Sequence, residues 1–117
     1  MDDLKARFSI EAAELIEKLE QQLLGIENHG QTTEAVGEIF RIIHTIKGTA
    51  SMFGFSNMGL LTHDTEDLYD EIRNGKLAFN KEILNLSFQI VDLLNNLLQN
   101  SDNLTETSAK QMTQIIE

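Results

Sequence analysis

Apolar residues recur at steps of three and four along almost the whole chain, and no proline interrupts them. Such spacing puts the apolar residues on one face of a helix, whereas a strand would need alternation. In the first segment the set is Phe8, Ala12, Leu15, Leu19, Leu23 and Ile26. Glu14, Glu17, Lys18, Glu20 and Gln21 fill most of the opposite face. The pattern predicts a first helix over residues 3–27, stopped by "ENHG" with Gly30 as its C-terminal cap. A second helix follows "QTT", where a threonine can cap. Its stripe is Val36, Ile39, Ile43, Ile46, Ala50 and Phe53, and it ends near "FGF", where Gly54 can take left-handed angles. Phe53 and Phe55 read as core residues around that turn.

A third helix is expected after Ser56 as N-cap, with Leu61, Thr65, Leu68 and Ile72 inward and "NG" at 74–75 as its end. A fourth runs over residues 80–100. Ile83, Leu86, Ile90, Leu94 and Leu97 form its stripe, widened by Leu84, Val91, Leu93 and Leu98. "NSDN" at 100–103 reads as a turn. A weaker helix over residues 104–116 has Leu104, Met112, Ile115 and Ile116 as its large anchors. Four amphipathic helices joined by short loops imply an all-α, antiparallel up-down four-helix bundle, with an additional C-terminal fifth helix. Residues 1–100 are expected to form the bundle, and 101–117 the fifth helix or the start of a linker.

Charge narrows the function. The net charge is −10, which repels a phosphate backbone and an anionic bilayer, so nucleic acid and membrane are not expected partners. Zero cysteines exclude disulfides, thiolate metal sites and cysteine nucleophiles. "MDDLKARF" lacks the apolar core of a signal peptide, and no run reaches the ~18 apolar residues of a membrane span. The expected location is the cytoplasm. The chain closes on "KQMTQIIE" without a stop signal, and it is expected to be cut from something longer.

One stretch asks for more than packing. Stepping about 100° per residue from Ile43 puts His44 at the edge of the buried stripe of the second helix. Gly37, Gly48 and Arg41 lie further out. Each glycine costs about 1 kcal/mol relative to alanine inside a helix. Cleared side chains beside a half-exposed histidine would let another protein's backbone approach. In the hairpin that turns near residue 55, His44 is level with Glu66, and Lys47 with His63.

Taken singly, these residues have plain structural readings. A histidine at a stripe edge is usually structural, a Lys–Glu pair is usually a weak solvated ion pair, and Gly48 could serve close helix packing. Convergence would give them chemistry. Glu66 could accept a hydrogen bond from Nδ1–H of His44, fix the tautomer and leave the Nε2 lone pair facing water. An imidazole so held can attack a phosphoryl group in line. Lys47 could steady the phosphoryl charge, and His63 could donate at the rim.

"IFRIIHTIKGTASMFGF" at 39–55 resembles the phosphorylation-site motif of histidine-containing phosphotransfer (HPt) domains, in particular those of chemotaxis histidine kinases. "LTHDTEDLYDEIRNGKL" at 61–77 resembles the matching second motif, and "EAAELIEKLEQQLLGIE" at 11–27 the family's first helix. The likeness spans residues 4–100. It implies that His44 is the phosphoacceptor, that Lys47 and Gly48 occupy the motif positions after it, and that His63 and Glu66 support its ring. It further implies an up-down helical bundle, phosphoryl donation from a separate ATP-binding kinase domain, and transfer to an aspartate of a response-regulator receiver domain. The domain itself would hold no cofactor and would be a relay rather than a kinase. Thr49 and Ser51 stand where the family usually carries small residues, often glycine, serine or alanine.

Two other readings use the same residues. His44, His63 and Glu66 could offer zinc two imidazoles and a carboxylate. Alternatively the bundle is a plain interaction module without chemistry.

Overall fold

The computed structural model describes residues 2–103 and 106–116. It contains five helices: α1 (Asp2–His29), α2 (Thr33–Met52), α3 (Ser56–Arg73), α4 (Lys81–Gln99) and α5 (Glu106–Ile116). Each of the first four packs on its neighbour in sequence, and α4 closes the ring against α1. The expected antiparallel bundle is therefore formed, and α5 lies against α3 and α4. Leu104 falls outside the described residues, as does the side chain of Ile116.

The helix ends obey local chemistry. Gly30 takes φ +87° and its N–H donates to the Ile26 carbonyl at 2.8 Å. Thr32 caps α2 by accepting from the Ala35 N–H at 3.0 Å. Asn80 caps α4 by accepting from the Ile83 N–H at 2.9 Å. The second turn is closed by Gly54, at φ +80°, which lets the Phe55 N–H reach back to the Ala50 carbonyl at 2.8 Å.

The start of α3 differs from expectation. Ser56 is already inside the helix, and the capping position belongs to Phe55, which has no side-chain bond to offer. The cap comes from far along the chain. Asp102 accepts from the N–H groups of Asn57 and Met58 at 2.9 and 2.8 Å, and its carbonyl accepts from the Asn57 amide at 2.8 Å. A carboxylate at a helix N-terminus satisfies orphan donors and meets the positive end of the helix dipole. To aim it there, Ser101 and Asp102 take φ +53° and +68°, a region aspartate tolerates better than most residues.

The core is mostly aliphatic, with an aromatic group in which Phe8 stacks against Phe53 at 5.4 Å between centroids and meets Phe55 at a tilt, at 4.6 Å. Both turn phenylalanines thus join the core as expected, Phe55 fully and Phe53 partly. Between Ala12 and Leu19 on α1 the buried residue is Ile16, with Leu15 at the margin. Both satisfy the periodicity, and the packing angle decides between them. On α3, Leu68 and Ile72 are only partly buried, while Tyr69 is enclosed. The Ser87 hydroxyl donates to the Ile83 carbonyl at 2.7 Å. The Tyr69 hydroxyl, 2.5 Å from Ser87 Oγ, is therefore the donor in that pair. Burial pushes the Tyr69 phenol up to about 12 from 10.0, with the Ser87 bond opposing it.

The tight approach of α2 and α3 occurs at Gly59, where a Cβ would meet Ser51 Oγ at 3.1 Å. Among the described residues, no helix is long and apolar enough to cross a membrane.

Candidate functional site

His44 projects from the middle of α2 with 64% of its side chain exposed, beside Glu66 of α3, which is only 14% exposed. Glu66 is the hub. One carboxylate oxygen, Oε2, bonds His44 Nδ1. The other, Oε1, accepts from Lys47 Nζ at 2.6 Å. Burial alone would raise the Glu66 carboxyl, but the hydrogen bonds and charges of Lys47 and His44 outweigh it and leave the carboxyl below its ordinary value of 4.5. The carboxylate is therefore ionised at neutral pH and can only accept. The hydrogen of the His44 bond then belongs to Nδ1, and a ring in its neutral form has its lone pair on Nε2, as expected of a ring oriented by a carboxylate.

The predicted quartet assembles in part. His44, Glu66 and Lys47 meet. Lys47 bonds Glu66, its long flexible stem spanning the extra turn. His63 is turned toward its own helix, with Nδ1 at 3.5 Å from Asp64 and 3.8 Å from Asp67. The zinc set of His44, His63 and Glu66 is not the group the geometry gathers. Among the described residues the cluster with metal-like spacing is His63, Asp64 and Asp67, three side chains of one helix face.

Gly48 lies exposed one turn beyond His44. A Cβ added there meets nothing within 4 Å, and the same is true of Gly37. Packing inside this molecule does not require either glycine. Arg41, also on this face, is 70% exposed and pairs with Glu38 at 2.6 Å.

Two contacts escaped the sequence reading. The Phe40 ring lies nearly parallel to the His44 imidazole, 11° between planes and 6.3 Å between centroids. The Arg73 guanidinium covers Phe40 at 4.0 Å from the ring centroid. An aromatic residue four positions before His44 was the available signal, since such residues share a helix face.

A family model described as the Hpt domain matches residues 3–103. The chain belongs to the Hpt family. Among curated relatives, chemotaxis protein CheA of Salmonella typhimurium is 36% identical over 109 residues, covering 93% of this chain and 16% of that protein. The sensor histidine kinase CheAY of Helicobacter pylori is 35% identical over 101 residues, 84% of this chain and 13% of the relative. This Hpt domain thus spans about one seventh of those proteins. The CheA phosphotransferase domain from Thermotoga maritima superposes with a TM-score of 0.79 at 30% identity, covering 86% of this chain and 96% of that one. The phosphorylated P1 domain of CheA3 in complex with CheY6 from R. sphaeroides shares the fold, with a TM-score of 0.81 at 24% identity over 98% and 94% of the two chains.

Proposed function

We propose that this Hpt domain is a phosphoryl relay in chemotaxis-type two-component signalling. His44 Nε2 accepts the phosphoryl group of ATP held by a separate histidine-kinase domain and passes it to an aspartate of a response-regulator receiver domain. The observation that carries this reading is the exposed imidazole fixed by a mostly buried, ionised Glu66. That arrangement fixes Nδ1 against Glu66 and leaves the far edge of the exposed ring, with Nε2, to approaching molecules, as suits a residue that must enter other proteins' active sites.

Each remaining residue has a part in this reading. Glu66 holds the tautomer and offsets positive charge as the ring is phosphorylated. Lys47 can leave Glu66 to meet the incoming phosphoryl oxygens. His63 supports the phosphoryl group at the rim by rotating away from Asp64 and Asp67. Gly48 and Arg41 belong to the face that partners approach. The Hpt domain is no enzyme by itself, since the nucleotide chemistry belongs to the kinase. The relative solved in complex with CheY6 supports a receiver-type partner. Residues 1–100 form the relay bundle, and residues 101–117 the fifth helix or the beginning of a linker.

The test is incubation with a cognate kinase core and γ-labelled ATP. Acid-labile label should appear on the wild type and vanish in His44→Gln. Label of equal amount and lability on His44→Gln would defeat the proposal. Stoichiometric zinc in untagged protein would favour the metal reading.

A further inference from the structure

We infer that Phe40, braced by Arg73, is a positioning residue for the His44 ring. The inference rests on the reading of His44 as phosphoacceptor. A ring on two single bonds is not fixed by one hydrogen bond. The bond to Glu66 locates Nδ1 but leaves the imidazole free to swing about that point, and with 64% of the side chain exposed few other contacts restrain it. Swinging moves Nε2, the atom that must meet phosphorus in line.

Phe40 stands one turn before His44 on α2 and presents a flat wall almost parallel to the imidazole. The 6.3 Å centroid separation lies within the range of offset-stacked aromatic pairs. The wall is itself held. Arg73 lies over Phe40, and its Nη2 donates to Asp70 Oδ1 at 2.8 Å. Arg73 is the last residue of α3, the helix that carries Glu66. Helix α3 therefore grips His44 twice, directly through Glu66 and indirectly through Arg73 and Phe40. The first contact sets the tautomer and the second sets the plane.

The full chain can be tested with phosphoramidate, a small donor that needs no docking surface. The Nε2–P bond forms as the donor's P–N bond breaks and ammonia leaves. Phe40→Leu keeps an apolar cover but removes the wall. It should lower the maximal phosphorylation rate about tenfold with half-saturation unchanged, since misplacement of a reacting atom is costly. NMR couplings of His44 should change from a single χ1 rotamer to an average. Phe40→Tyr should restore both readouts. Arg73→Gln, a change at an exposed side chain, should lower the rate about threefold.

A wild-type rate and a single His44 rotamer in Phe40→Leu would overturn the inference. Should that variant lose its helical signal, the same result in Arg73→Gln would overturn it instead. His44→Gln separates the two ideas. Label retained on that variant sinks the phosphoacceptor reading, whereas label lost there with wild-type behaviour of the other variants sinks only the positioning role.

Discussion

Glu66 and Tyr69 sit three residues apart on the same helix and are driven in opposite directions. Glu66 is at the α2 boundary, reached by His44 and Lys47, and its carboxyl is held below its ordinary range. Tyr69 faces α4, is enclosed by apolar side chains, and has its phenol raised to about 12. Both are hydrogen-bonded. The difference is the state that the surroundings favour. At Glu66 two donors stabilise a charge. At Tyr69 the lack of water stabilises neutrality, and the hydroxyl is used up in a chain to Ser87 and the Ile83 carbonyl. Two polar groups on one helix can thus serve chemistry and packing respectively, depending on whether a buried charge has partners.

Breaking the Glu66 side should cost activity more than fold. Glu66→Ala is expected to slow phosphorylation of His44 about 10- to 100-fold, by analogy with loss of a carboxylate that orients a metal-bound histidine. Its unfolding free energy should fall by no more than about 1 kcal/mol, since Lys47 and His44 remain in reach of water. A large loss of stability with normal phosphorylation would reverse the assigned roles.

The Tyr69 side should show the converse. Tyr69→Phe is expected to destabilise by about 1 kcal/mol at neutral pH, the worth of one hydrogen bond, and to leave phosphorylation unchanged. Urea titration and labelling read the two effects.

Titration sharpens the contrast further. The folded pKa of Tyr69 is raised, so its contribution is complete below 10.0 and is lost as pH climbs from there through about 12. Tyr69→Phe should flatten the alkaline limb of the stability curve. The folded pKa of Glu66 is lowered, so its contribution is complete above 4.5 and is lost as pH drops through the lower folded value. Wild type and Glu66→Gln should converge in stability at the acid end.

The smallest expected effect is at Gly48. Since a Cβ there has open space, Gly48→Ala should stabilise the helix by about 0.5–1 kcal/mol. If the clearance serves an approaching partner, the same change slows transfer from the kinase domain but not from phosphoramidate. Equal slowing with both donors would place the defect in His44 itself.

Much of this was legible in the chain. The steps of three and four gave the helices because burial of one face per helix is what a bundle demands. His44 and Glu66 were placed together by counting across a short antiparallel hairpin, which works because both helices rise at the same pitch. The same counting did not tell where the His63 ring would point. Height along a hairpin is fixed by the backbone, but the direction of an exposed ring is chosen by nearby carboxylates, here Asp64 and Asp67. Leu15 and Ile16 were indistinguishable by period, since each stands three or four residues from both Ala12 and Leu19. The Tyr69–Ser87 pair had no signal in the sequence, because a buried pair is visible only once both helices are placed. Asp102 was the hardest to see, because nothing local marks an aspartate as the cap of a helix that begins 46 positions earlier in the numbering, at Ser56.

That distant cap has a consequence for the order in which the molecule assembles. The first turn of α3 lacks a side-chain cap of its own, and its partner Asp102 lies beyond α4, at the reversal of the chain at Ser101. Closing so long a loop is entropically slow. The hairpin that carries His44 is therefore expected to form its middle before its start, with Asp102 as a latch closed late. In stopped-flow kinetics, Asp102→Ala should speed unfolding while leaving the folding rate unchanged.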